Sequence, residues 1–267
     1  MSIFRSDLFA GQVALVTGGG TGIGRGVADA LAAHGAATAL LSRNVEHLEP
    51  TAAALRARTG SPCLALAADV RRPEEVDRAV GRVVAELGRL DMVVNGAAGN
   101  FLCPAAALSP NGFGTVLDID AKGTFNVCRA VFAQWMREHG GRILNLSATL
   151  HYGGTPGQLH ASAAKAAVDA LTRNLAVEWG PFGIRTNAVA PGPIGDTEGT
   201  RRLLQGELAH RAPELIPIRR LGSVEDVAQL CLFLLSEAAR NINGAVVVTD
   251  GGHCLVGAYD RLMGTSV

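Results

Sequence analysis

The segment Thr17-Gly18-Gly19-Gly20-Thr21-Gly22-Ile23-Gly24 spaces its glycines as a chain does when it turns tightly around a phosphate. It follows an apolar run and opens a helical stretch, the context that gives such a motif meaning. Gly18 and Gly24 let main chain approach a pyrophosphate. The helix start near Gly22 offers it free N–H groups and the positive end of the dipole. Thr17, Gly18, Gly20, Thr21, Gly22, Ile23 and Gly24 are therefore the expected cradle of a dinucleotide. The next apolar run ends Leu41-Ser42-Arg43-Asn44, where an NAD site usually places a carboxylate for the ribose 2′-hydroxyl. Here Arg43 stands between Ser42 and Asn44, with Arg25 expected nearby, and a guanidinium matches a 2′-phosphate through two parallel hydrogen bonds. NADPH is thus expected over NADH. Asp69, beside Val70, either accepts from the adenine amine or caps the helix that opens near Pro73. Asn95-Gly96-Ala97-Ala98-Gly99 is small enough to pass close to the adenine ribose, which adds Asn95 and Ala97 to the expected contacts.

The elements that must hold these residues alternate along the chain. Strands are expected at about 12–17, 37–41, 63–67, 91–95, 142–147, 185–190 and 245–249. Helices are expected at about 23–34, 45–58, from Pro73, 112–138, 159–179 and 224–236. Strands that are continuously apolar, without alternation, are covered on both faces and belong to a parallel sheet. Repeated βα units imply an α/β fold with a doubly wound parallel sheet of the Rossmann kind, as a single domain over residues 1–267. The irregular stretch after the sixth strand, about 192–222, is read as a small substrate lid.

Composition narrows the function classes. The 267 residues are 48% hydrophobic with net charge zero, so neither a nucleic-acid partner nor a membrane is expected. Among the five cysteines none forms a C-x-x-C, so no metal site is expected. An odd cysteine count, an opening without an apolar signal core and an ending Gly264-Thr265-Ser266-Val267 that is not S-K-L point to a cytoplasmic location.

The motif at 17–24, Asn95-Gly96-Ala97-Ala98-Gly99, Lys165 and Pro191-Gly192 together resemble the short-chain dehydrogenase/reductase superfamily over nearly the whole chain. Longer strings narrow the likeness. Ala97-Ala98-Gly99-Asn100-Phe101-Leu102-Cys103-Pro104, Asp118-Ile119-Asp120 followed by Gly123-Thr124-Phe125-Asn126-Val127, and Ala190-Pro191-Gly192-Pro193-Ile194 with Thr197-Glu198-Gly199 look like the peroxisomal-type 2,4-dienoyl-CoA reductases. The superfamily's usual catalytic set is Asn, Ser, Tyr and Lys. Matched by motif, the serine falls on Ala148, the tyrosine on Ala161 and the asparagine on Asp120, so Lys165 alone is retained.

The resemblance implies an NADPH-dependent reductase of 2,4-dienoyl-CoA thioesters in the β-oxidation of unsaturated fatty acids, with Asp120 and Lys165 as its catalytic pair. A ketone reductase needs a positioned acid. A conjugated thioester instead spreads the incoming charge to its oxygen, so a water held by Asp120 and Lys165 suffices. Lys165 also binds the nicotinamide ribose and favours the ionised form of Asp120; the plainer role for Asp120 is a surface carboxylate paired with Lys122 or Arg129. Pro191, Gly192 and Ile194 are assigned to the cofactor, and Asn100, Phe101, His160, Pro193 and Arg201 to the acyl-CoA. Arg201, Arg202, Arg211, Arg219 and Arg220 form a basic patch suited to CoA phosphates. Tyr152 is either a replacement acid, which defines an alternative reductase of enoyl or keto substrates, or a pocket wall. A third reading is a catalytically silent NADP(H)-binding protein. A homotetramer built through the two long helices is implied by the resemblance.

Overall fold

In a computed structural model, the structure describes residues 2–203, 206 and 211–256, and of residues 202 and 203 the backbone alone. The chain-terminal tetrapeptide, the side chain of Arg202 and part of the 192–222 stretch expected as a lid lie outside the described residues.

Strand β1, Val13–Thr17, is buried at every position, as its unbroken apolar run requires. It leads through the glycine turn into α1, Gly22–Ala33. There follow β2 (Ala37–Ser42), α2 (Val45–Thr59), β3 (Cys63–Ala67), α3 (Pro73–Leu87) and β4 (Met92–Asn95). A long helical path comes next, made of α4 (Pro110–Leu117), α5 (Gly123–Val131) and α6 (Arg137–His139) joined by wide π turns at Asp118–Lys122 and Phe132–Met136. Then come β5 (Gly141–Leu146), α7 (Leu159–Trp179), β6 (Ile184–Pro191), α8 (Glu198–Leu203), α9 (Val224–Leu235) and β7 (Val246–Thr249).

All strands pair in parallel in the order β3-β2-β1-β4-β5-β6-β7. The order reverses between β1 and β4, and the crevice outside the carboxyl ends at that switch point is where such sheets bind ligands. One apolar layer joins Val27 and Leu31 of α1, Leu48 of α2 and Cys231 and Leu235 of α9 to one face of the sheet. The other joins Val80 of α3, Val127 and Val131 of α5 and Leu175 of α7 to the opposite face. Trp135 and Trp179 pack against this second layer, Trp179 stacked on Phe132 at 4.4 Å.

Candidate active site

The glycine turn is built by close approach. A Cβ on Gly18, which sits at φ +67°, would meet the Gly96 carbonyl at 2.6 Å. The turn therefore nests against the end of β4, held there by the Thr17 hydroxyl, which accepts from the Gly96 and Ala97 N–H groups at 3.0 and 3.1 Å. Thr21, the N-cap of α1, makes no side-chain cap bond, so the helix presents its first N–H groups uncapped. A cleft of about 760 Å³ opens in front of them, lined among others by Gly18, Thr21, Gly22, Ile23, Gly24, Ser42, Arg43, Asp69, Val70, Ala97 and Lys165. Seven of the expected cofactor contacts stand outside that lining, and three of them, Pro191, Gly192 and Ile194, line a second cleft. Thr17 is occupied as just described, and Gly20 packs on Leu48 and His47. Asn44 sits at the N-cap of α2, and Asn95 is buried with its amide donated to Asn145 and Cys128. Arg25 turns along its own helix toward Asp29, 4.0 Å away.

Asp69 resolves between its two expected roles in one respect: it does not cap α3. Arg72 holds the N-cap without a side-chain bond. The Asp69 carboxylate accepts from the backbone and guanidinium of Arg71, and this guanidinium holds it below the usual carboxylate range despite partial burial. Its charge is thereby matched locally. Arg43 makes no ion pair among the described residues.

The second cleft, about 590 Å³, shares Ile23, Ala98, Asn100, Ser147, Lys165, Thr197 and Gly199 with the first. It adds Asp120, Ala148, Ala161, Pro191, Gly192, Pro193 and Ile194. Asp120 rides on the first π turn and is 1% exposed. Its Oδ1 accepts from the Gly99 N–H at 2.7 Å, and its Oδ2 lies 3.0 Å from Lys165 Nζ. That ion pair is not an aligned hydrogen bond, and Oδ2 is a buried oxygen without a donor of its own. Lys165 Nζ donates to the Leu146 carbonyl at 2.9 Å. Asp120 is thus no surface carboxylate: Lys122 pairs with Asp118 and Arg129 with Asp77. Ala148 and Ala161 supply no hydroxyl beside this pair.

The expected substrate residues divide. Asn100 and Pro193 line the second cleft, and Phe101 lines the first. His160 is fully buried, stacked on Phe101 at 4.2 Å, with both ring nitrogens unpartnered, and it lines neither cleft. Arg201 also lies outside, its guanidinium on the Asp196 carbonyl. Tyr152 is 43% exposed and is not a pocket wall, and burial together with the nearby Asp169 charge raises its pKa. In the basic patch Arg220 is paired with Asp226 and Arg219 bonds the Glu214 carbonyl. Sequence reasoning missed the Gly99 N–H and the contributions of His253, Cys254 and Val256 to the second cleft. No spacing in the sequence marks the last three, because they arrive through the turn after β7. Among the described residues no group of side chains could hold a metal, and no helix is long and apolar enough to cross a membrane.

A family model described as enoyl-(acyl carrier protein) reductase matches residues 18–253. A Danio rerio protein named peroxisomal 2,4-dienoyl-CoA reductase, (3E)-enoyl-CoA-producing, is 49% identical over 98% of this chain and 88% of its own length. The Saccharomyces cerevisiae peroxisomal 2,4-dienoyl-CoA reductase SPS19 is 45% identical over 96% of this chain and 88% of its own. Among solved structures, the citronellol catabolism dehydrogenase AtuB of Pseudomonas aeruginosa superposes with a TM-score of 0.84 at 42% identity, covering 95% of this chain and 99% of that one. The expectation of a cytoplasmic location is overturned by these relatives, whose names place them in the peroxisome.

Proposed function

The chain belongs to the short-chain dehydrogenase/reductase family, and from that premise we propose that it reduces 2,4-dienoyl-CoA thioesters with NADPH, yielding the (3E)-enoyl-CoA. One observation carries the reading: the buried Asp120–Lys165 pair faces a cleft where Ala148 and Ala161 offer no hydroxyl acid. The names of the relatives support the substrate class and the position of the remaining double bond.

Reductases of this family use a nicotinamide cofactor, and the uncapped start of α1, the glycine turn and Lys165 in one cleft fit such a group. Bound NADPH supplies a hydride. Gly18, Thr21, Gly22, Ile23 and Gly24 hold its pyrophosphate; Ser42 and Arg43 hold its 2′-phosphate. Asp69, Val70 and Ala97 border the adenosine, and Pro191, Gly192 and Ile194 the nicotinamide side. The preference for NADPH rests on Arg43, a cation at the end of β2 that makes no ion pair among the described residues, the nearby Asp69 carboxylate being paired with Arg71.

The conjugated thioester is reduced at its far carbon, and the electron pair left behind delocalises to the thioester oxygen. Lys165 directs one Nζ proton to the Leu146 carbonyl and lies 3.0 Å from Asp120 Oδ2 without an aligned hydrogen bond, which leaves its other protons for a ribose hydroxyl and a water. Asp120 Oδ2, which lacks a donor of its own, accepts from that water and orients it toward the α carbon. The water gives its proton there and takes one from Lys165 Nζ in its place, the lysine is reprotonated from solvent, and the double bond settles between the β and γ carbons. Asp120 never needs to be the acid itself. Asn100 and Pro193 border the acyl group. The exposed apolar residues Phe125 on α5 and Leu159 and Val177 on α7 support association of copies through the two long helices, as a homotetramer.

Loss of NADPH absorbance on adding a 2,4-dienoyl-CoA tests the proposal. Turnover of 3-ketoacyl thioesters with no turnover of dienoyl thioesters overturns it.

A further inference from the structure

The loop of residues 147–158, between β5 and α7, forms one wall of the second cleft through Thr149, Leu150, Gly153, Gly154 and Thr155. With glycines at 153, 154 and 157 it has little stiffness of its own, so its shape depends on what anchors it. Ser162 Oγ donates to the Leu150 carbonyl at 3.2 Å and Asn100 Nδ2 to Gln158 Oε1 at 2.6 Å, and the anchor that reaches the loop from beside Lys165 is Asp169. That carboxylate is 2% exposed and lies one turn beyond Lys165 on α7, on the same helix face by its spacing. Both of its oxygens are engaged by the loop and its root. Ser147 Oγ donates to Oδ1 at 2.5 Å, and His151 Nε2 donates to Oδ2 at 2.8 Å. Hydrogen bonds to a buried carboxylate are the stronger, charge-assisted kind. Ser147 itself lines both clefts, while His151 lines neither and touches no reacting group.

We infer that His151 and Asp169 form a latch that holds the 147–158 loop against the helix carrying Lys165, so that His151 is a positioning residue for the acyl substrate. This deepens the reductase reading and rests on it. Its signature is selective. Releasing the latch loosens the acyl wall and leaves the Asp120–Lys165 pair and the nucleotide cleft intact, so substrate affinity falls while the chemical step and cofactor binding do not.

The variant is His151→Ala, on a loop where a shortened side chain leaves the cores untouched. Three readouts are expected: KM for a 2,4-dienoyl-CoA rises about tenfold, on the order of the loss of one such bond; kcat stays within about twofold; and the Kd for NADPH is unchanged by fluorescence titration. Hydrogen exchange of the amides of 148–157 speeds up in the free protein, a measurement that needs no substrate. His151→Gln, which keeps a side-chain N–H donor, recovers most of both effects. Unchanged exchange in His151→Ala, or a fall in kcat at constant KM, overturns the latch. Failure of the wild-type protein to turn over dienoyl thioesters overturns the reductase reading instead, while the exchange result still decides the latch.

Discussion

Asp120 and Lys165 lie forty-five positions apart in sequence and 3.0 Å apart in the fold, and the chemistry follows from what surrounds them. A carboxylate this deeply buried persists because a cation and the Gly99 N–H compensate it, and removing either partner strands a charge. Asp120→Asn keeps the shape and the bond from Gly99 but weakens the pull on a proton-giving water. A fall in kcat of about 10²-fold is expected, with NADPH affinity retained. Tyr152→Phe is expected to leave kcat within about twofold, because that phenol is outside the cleft; steady-state assays of both variants on a dienoyl thioester check the pair. Arg43→Ala should erase about 10- to 100-fold of the kcat/KM preference for NADPH over NADH, the worth of one or two charged hydrogen bonds. At this scale the sequence was informative wherever a residue type was itself the signal, as with Arg43 or the alanines at 148 and 161. It was silent on the orphaned Oδ2 of Asp120, on the buried ring of His160 lying outside the lining of both clefts, and on Asp169 gathering Ser147 and His151. Those depend on side-chain directions that only packing fixes.

The elements were largely legible because parallel strands covered on both faces read as unbroken apolar runs, and the glycine turns and Pro73 punctuate them. The long helix was expected at about 112–138 and runs from Pro110 through two π turns to His139. The first wide turn carries Asp120, and no periodicity in Asp118-Ile119-Asp120-Ala121-Lys122 announces it. Such bulges recur at functional sites. At the start of α9 the Ser223 side chain accepts from the Asp226 N–H while the Asp226 carboxylate accepts from the Ser223 N–H, a reciprocal cap. Arg220 beside it, with these bonds, lowers the Asp226 carboxyl from 3.8 to about 2. A depressed folded-state pKa adds stability that is present above the unfolded value and is lost as pH falls through the folded one. Asp226→Ala should therefore cost about 1 kcal/mol at neutral pH, mostly through the cap since Arg220 is exposed. In thermal melts its deficit should narrow below about pH 4 and close near pH 2.

For the whole molecule, the sheet order puts the carboxyl ends of β1 and β4 at the switch point, so the nucleotide cleft is a consequence of topology. The acyl cleft is not. It is assembled from the segments after β4, β5, β6 and β7, whose mutual placement leaves little trace in spacing, and so the turn at His253–Leu255 went unforeseen. Exposed Val177, at 78%, is a large apolar side chain on a helix expected to meet another copy. Val177→Asp should lower the mass found by sedimentation if that face is an interface, and leave it unchanged if copies meet elsewhere or not at all. The central claim is that a carboxylate–ammonium pair replaces the missing phenol in reducing a conjugated thioester. Its most direct test is NADPH oxidation on a 2,4-dienoyl-CoA, run in D₂O with the product analysed by mass and NMR, for the wild type and for Asp120→Asn. Rapid oxidation by the wild type, one solvent deuterium at the α carbon of a (3E)-enoyl-CoA, and about 10²-fold slower turnover in the variant are expected. Full turnover by Asp120→Asn, or a product without α deuterium, would contradict the claim.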